Sequence, residues 1–331
     1  MSVPAARTLR SHVGADRPQS ASAEVVTTGR APDPTVKRNP VAWCAGGIAA
    51  GVVVAGFWNV RLIDGLGVAA FVIPLIGPFE GKAAHFAEAG YGIGFLFAVA
   101  AGLAATVTAS SVATFATLPL LASADRRRTR ALYTPIIVVA IAALIAAVYG
   151  AFIGRMGPSG AAAFNTGPIR SAQSFVMFSA AGIALMLWGT GEAGVFAALS
   201  ARNDPRTRAV FSHDGVKTIA AGIIVGSFTL GRPLAVFREF LLYVAQPASA
   251  AYGMAAMTLQ SIASIAIPMS LLAVLASRAQ SNATSQTHTS PTPVMSGAAL
   301  CAGGAFLLFY WGIARVWPAL GRWGVQLGLY S

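Results

Sequence analysis

Charge is what this sequence has least of. Only 10% of its 331 residues are Asp, Glu, Lys or Arg, against roughly 25% in an ordinary soluble domain. Hydrophobic residues make up 56%, and the mean hydropathy is +0.66. That balance excludes a soluble globular domain and implies an integral membrane protein whose main partner is the lipid bilayer. Acids are scarcer still, with 11 against 23 basic residues and a net charge of +12. A nucleic-acid partner would need the basic residues gathered on one face or helix, whereas here they fall between apolar runs. Cysteine is almost absent. Cys44 and Cys301 both lie in apolar segments and are too few for a disulfide scaffold or a structural zinc site. The four histidines, His12, His85, His213 and His288, never reach the H-x-x-x-H spacing of a metal pair. No glycine-rich phosphate loop, acidic pair or nucleophile triad occurs. Nothing in the sequence calls for a cofactor, a metal or soluble-enzyme chemistry.

What is present is a series of long apolar runs. A bilayer core takes ~20 mostly apolar residues per helix, and seven runs qualify, at about 41–63, 91–122, 131–154, 172–200, 217–245, 252–277 and 294–316. The second is too long for a straight perpendicular helix and is expected to tilt or break, near Thr108–Ser111 or at Pro119. A shorter run, Gly65–Phe79, contains Pro74 and Pro78 and is expected to be re-entrant or interfacial. Residues 1–39 are rich in Ala, Ser, Pro and Arg without apolar periodicity and read as a disordered tail. Alternating the runs puts fifteen Lys and Arg on the side of that tail and five on the other. Basic residues are retained in the cytoplasm. The expected protein is therefore a multi-pass plasma-membrane protein with a cytoplasmic tail and an extracytoplasmic C-terminal segment, 317–331.

Two runs share a logic. "AGLAATVTASSVATFATLPLL" (Ala101–Leu121) begins with small residues, becomes polar at mid-depth through Ser110 and Ser111, and ends at Pro119. "AAGIIVGSFTLGRPLAVF" (Ala220–Phe237) does the same through Thr229, Gly231 and Arg232 and breaks at Pro233. Interrupted helices in corresponding places of two halves mark midplane sites in inverted-repeat transporters. Each run is followed by two more spans. The expected fold is an all-α membrane bundle of about seven helices. A leading helix and re-entrant piece over 40–90 precede two inverted three-helix repeats with broken first helices, 91–200 and 217–316.

Those residues also carry a resemblance. "AGLAATV…VATFATLPLL", "VGSFTLGRP" and "AYGMAAMTLQSIASIAIPMSLL" (Ala251–Leu272) follow, in order, the plan of the CcdA/DsbD-like cytochrome c biogenesis transmembrane region family over roughly Tyr91–Val316. The resemblance implies a role in extracytoplasmic thiol redox or cytochrome c maturation, with a thioredoxin-like or cytochrome-maturation partner. The family relays electrons through one cysteine in each broken helix, since a thiolate is needed to attack a disulfide and leave again. Here the corresponding positions fall at Ser110 or Ala113 and at Leu230 or Gly231. A divergent member without its own relay is implied. Cys44 and Cys301 could adjoin near the cytoplasmic ends of their helices, either as stand-in thiols or as two small buried hydrophobes.

A charge near the bilayer centre costs ~2.5–3.5 kcal/mol on insertion scales and usually faces protein. Arg232 is the deepest, beside a proline that removes a backbone donor. It suits an anion or a substrate carboxylate, or else it pairs with Glu192 or caps freed carbonyls. Glu192 is a proton or cation carrier, or the partner of Arg232. Arg238 and Glu239 are expected to snorkel to the outer interface, and "AFNTGPIR" (Ala163–Arg170) to be an outer connector. Three functions stay open: the divergent family role, a transporter of a small ion or metabolite with Arg232 and Glu192 in its pathway, and a structural membrane subunit.

Overall fold

The computed structural model describes residues 39–111, 114–117, 128–196, 213–281 and 293–329. The N-terminal tail, Ala113, Pro119, most of the basic stretch 124–130 and the polar loop 282–292 lie outside these bounds or at their edges. Every described element is helical. Five helices are long and apolar enough to cross a membrane, and up to seven if each of two bent pairs counts as one span. Large apolar side chains such as Ile136, Leu144 and Val148 are exposed on the bundle surface. A continuous surface of this kind fits hydrocarbon and would be a liability in water.

Local chemistry sets the ends of the helices. α1 (Pro40–Gly56) begins at a proline, and the Asn39 Oδ1 accepts from the Val41 amide at 3.0 Å. The run expected to continue to 63 instead turns at Phe57–Asn59. α2 (Val60–Gly67) is restarted by Asn59, whose Oδ1 accepts from Leu62 N at 3.0 Å. The chain then continues through a π-helical turn at Val68–Val72 into α3 (Ile73–Ile76), and this second arm is bent by 83° from α1. The piece expected to be re-entrant or interfacial is thus the second arm of a bent pair. Its Val72 is fully buried in the core cluster that includes Phe97 and Ala101.

α4 (Phe86–Ala105) ends where the Thr108 and Ser111 hydroxyls both donate to the Ala105 carbonyl, at 2.8 and 2.6 Å. Hydroxyls that take a helix carbonyl compete with the next amide and stop the helix. α5 (Arg128–Phe164) kinks at Gly157, whose φ of +68° is open to glycine, followed by Pro158. α6 (Gly167–Glu192) starts with a proline in its first turn, five residues before the expected 172. α7 (Asp214–Gly231) stops because Pro233 pushes Arg232 to an extended backbone, φ −65° and ψ 118°. α8 (Ala235–Ala245) leaves at 83° to it. α9 (Ala250–Ser281) and α10 (Pro293–Leu307) follow, the latter running through a π-helical stretch at Leu308–Ile313 into α11 (Ala314–Val316). Two short helices, α12 (Pro318–Gly321) and α13 (Trp323–Gln326), end the described chain.

Small residues let these helices meet backbone to backbone, as membrane helices do when no hydrophobic force drives them together. A Cβ on Gly150 of α5 would collide with the Gly253 carbonyl of α9, and one on Gly189 of α6 with the Gly297 carbonyl of α10. The same closeness joins α1 to α10 at Gly51 and Ala302. α4 lies along α9 in the same direction, Gly102 beside Gln260 and Thr106 donating to the Ser264 carbonyl. α7 lies along α5 likewise, with Gly222 beside Ile141 and Gly226 beside Ala142. At one end of the bundle, Glu239 accepts from the Ala83 amide at 3.0 Å and Asn165 exchanges hydrogen bonds with Arg238.

Candidate functional site

A cavity of about 670 Å³ opens where three helices are interrupted. Trp58 and Asn59 come from the α1–α2 joint, Thr108 from the end of α4, and Pro233 and Leu234 from the α7–α8 joint. Both π-helical stretches reach it as well, through Val68 and through Tyr310 and Trp311. π-turns recur at functional sites because they re-aim side chains that a regular helix would turn away. The C-terminal hook, α12–α13, forms one side through Gly321, Arg322 and Val325. It is held by Trp323, which packs edge-on to Phe57 and tilted against Phe309, with ring centroids 5.8 and 5.5 Å away. The volume is that of a small-molecule site, about 300–1,000 Å³.

The lining is apolar with a few charges. Arg61, Arg315 and Arg322 stand against a single acid, Asp64. Arg315 lies over the Trp311 ring at 5.8 Å and donates to the Ser171 hydroxyl. Three buried polar atoms of lining residues have no hydrogen-bond partner: Trp58 Nε1, Trp311 Nε1 and Asp64 Oδ1. Buried polar atoms are almost always paired in folded proteins, so three orphans around one cavity ask for a reason.

Behind Pro233 the break is clasped by α6. The Arg170 side chain is 1% exposed. Its guanidinium donates to the Tyr149 hydroxyl and the Gln173 Oε1, each at 2.8 Å, to the Leu230 carbonyl at 3.3 Å, and to the Arg232 carbonyl. It also sits 5.5 Å over the Phe237 ring. One turn on, the Ser174 hydroxyl is 2.6 Å from the Gly231 carbonyl. The carbonyls left without amides where α7 ends are thereby satisfied from a neighbouring helix. Arg170, expected in an outer connector, is the clasp of the break. Its signal was readable: Pro168 marks a helix start, and Arg170 and Ser174 are four apart on one helical face.

The residues singled out from the sequence separate. Pro233 lines the cavity, while Arg232, Gly231, Thr229, Ser110, Ser111 and Glu192 do not. Arg232 is buried, with Nε and Nη1 unpartnered. The Arg232–Glu192 pair does not form. Glu192 binds Lys217 instead, Nζ to Oε1 at 2.7 Å, with both side chains over nine-tenths buried. The reason is distance along α7: Lys217 is in the first turn of that helix, opposite the end of α6, whereas Arg232 is beyond its last turn. Arg238 and Glu239 do not snorkel. Their partners are Asn165 and the Ala83 amide, so they join α8 to its neighbours. Ser110 bonds to Thr108 at 2.9 Å, and Thr108 with Ser111 ends α4. Thr229 is buried at 1% exposure. Cys44 and Cys301 are free, buried neighbours in one cluster with Ala193 and Val195, and the Cys301 Sγ donates to the Met186 carbonyl at 3.7 Å. Among the described residues no three His, Cys, Asp or Glu side chains gather to hold a metal ion. Trp58, Arg61, Asp64, Arg315 and Arg322 were not anticipated, because their convergence depends on the α1–α2 bend and the C-terminal hook.

No family model matches the chain, and no curated protein and no solved structure is significantly similar to it. The geometry thus defines a multi-pass helical membrane protein with a cavity at its helix interruptions.

Proposed function

We propose that this protein is a transporter of a small polar metabolite whose path runs through the cavity. The carrying observation is that the α1–α2 joint, the end of α4 and the α7–α8 joint all line the one space. Irregular backbone at membrane depth is tolerated only where it is buried in protein or lines a cavity, and in transporters it marks the substrate site.

Two inverted three-helix repeats, α4–α5–α6 and α7–α9–α10, belong to the same proposal. The reciprocal packing supports them: α4 lies along α9 as α7 lies along α5, and α5 meets α9, and α6 meets α10, at paired glycines. A pseudo-two-fold axis that exchanges the two repeats maps that set of contacts onto itself. The kinship with the CcdA/DsbD membrane region stands on the same ground, since Thr108 and Pro233, from the two broken helices it matches, line one cavity. Its thiol relay does not carry over, because Ser110, Leu230 and Gly231 supply no sulfur. Orientation with the basic tail in the cytoplasm completes the proposal.

The test is counterflow in proteoliposomes with labelled amino acids, monocarboxylates and phosphate. At least one class exchanges above empty vesicles, and Leu234→Trp, which fills the cavity, abolishes the exchange while the protein still elutes as a folded species. A folded protein that exchanges no member of the panel points to a structural subunit and overturns transport.

A further inference from the structure

The three orphan atoms and the charges around them say more than that a solute passes. Trp58 Nε1 and Trp311 Nε1 are donors that cannot accept, and Asp64 Oδ1 is an acceptor when ionised. As the walls stand these atoms are sealed from the cavity, so a ligand reaches them only by shifting a wall side chain, and such a ligand must bring both an acceptor and a donor. The charges divide in the same way. Arg61, Arg315 and Arg322 offer planar forks suited to a carboxylate, and Asp64 is the one acid in the lining, set where no hydrogen bond reaches its Oδ1. A purely anionic solute would use the arginines and leave Asp64 opposed to it; a purely cationic one would meet three arginines. The remaining wall is aromatic and aliphatic, with Trp58, Phe237 and Trp311 presenting ring surface.

We infer that the cavity binds a zwitterion with an apolar body, its carboxylate on the arginines and its ammonium on Asp64. The chemical class is an α-amino acid with an aromatic or branched side chain. This assignment rests on the cavity being the solute path.

Asp64 is then a specificity residue. In a site built for a donor, the analogue lacking that donor is rejected strongly because a buried acceptor is left unpaired. In the absence of the amine, Asp64 also repels the carboxylate bound nearby.

The experiment uses the full-length protein in nanodiscs and two matched sets of probes, read by titration calorimetry. One set is phenylalanine, 3-phenylpropanoate and phenethylamine; the other is leucine, 4-methylpentanoate and isoamylamine. Within a set the body is constant and only the charged ends change. At least one zwitterion is expected to bind tenfold or more tighter than both of its one-ended analogues. Asp64→Asn is expected to erase the advantage over the carboxylate from both sides, weakening the zwitterion and tightening the carboxylate. Arg322→Gln, at an exposed position, is expected to weaken zwitterion and carboxylate together. A carboxylate that binds as well as its zwitterion, or zwitterions that bind in neither set, overturns the inference. Counterflow of phosphate or a monocarboxylate by the same protein in proteoliposomes would leave the transport proposal standing, so the two failures are told apart. If Asp64→Asn does not fold, Asp64→Glu serves in its place: it retains the charge, shifts it by one methylene and is expected to lower zwitterion affinity without touching that of the carboxylate.

Discussion

Replacing Arg170 by methionine tests how the α7–α8 break is held. The variant keeps an unbranched side chain over Phe237 but removes the donors to Tyr149, Leu230 and Arg232, all on other helices. Interhelical hydrogen bonds in membrane proteins average about 0.6 kcal/mol, which sets a floor of about 2 kcal/mol for three of them. Bonds to charged groups in soluble proteins contribute about 1.5–3 kcal/mol each, which places a ceiling above about 5. The carbonyls of Leu230 and Arg232 remain buried after the change, so the loss belongs in the range of about 2–5 kcal/mol. Reversible unfolding in mixed SDS and maltoside micelles reads that loss directly, and thermal aggregation monitored by size-exclusion fluorescence reads it as a drop on the order of 10 °C. Arg322→Gln, on an exposed residue of the hook, is the control and should stay within about 0.5 kcal/mol. Should Arg170→Met be as stable as the parent, the clasp described here does not hold the break.

Other substitutions read different parts of the bundle. Glu192→Gln leaves Lys217 buried without its partner and is expected to cost about 3–5 kcal/mol, whereas the double change Glu192→Met with Lys217→Met should recover most of that in the same assay. Arg232→Met is expected to leave stability unchanged or raise it, because Nε and Nη1 bond to nothing; strong destabilisation would mean that this guanidinium is engaged. Gly150→Leu forces α5 from α9 and should abolish the monodisperse peak in size-exclusion chromatography. A cytoplasmic thioredoxin stripped of its resolving cysteine is expected to trap no mixed disulfide with Cys44 or Cys301, both buried; a robust adduct on a non-reducing gel would restore a redox role.

The spans were legible because they are long. Runs at 131–154, 252–277 and 294–316 fall within α5, α9 and the helical stretch from α10 to α11. The break at Pro233 was legible too, since proline acts on its own neighbours. The α1–α2 joint was hidden because no proline marks it. Phe57 and Trp58 read as membrane residues, and Asn59 announces a helix start only if a new helix is already suspected. Partnership was the least readable level. Arg232 and Glu192 looked like natural mates as isolated charges, but pairing depends on which helix ends share a level in the bundle, and that put Lys217 beside Glu192. The cavity itself has no local signature. Its walls come from segments as far apart in the chain as Trp58, Thr108, Leu234 and Arg322, and only the folded bundle brings them together.

The two bent pairs are fastened very differently, and that asymmetry decides where the molecule can flex. Between α7 and α8 the elbow is riveted from α5 and α6 through Arg170, Ser174 and Tyr149, so straightening it would tear several bonds at once. The α1–α2 elbow is held by the Asn59 cap and by ring contacts, Phe57 on Trp323 and Trp58 on Phe306. Any breathing of the chamber should therefore begin at the aromatic elbow and the trailing indole, while the opposite wall serves as a fixed anvil.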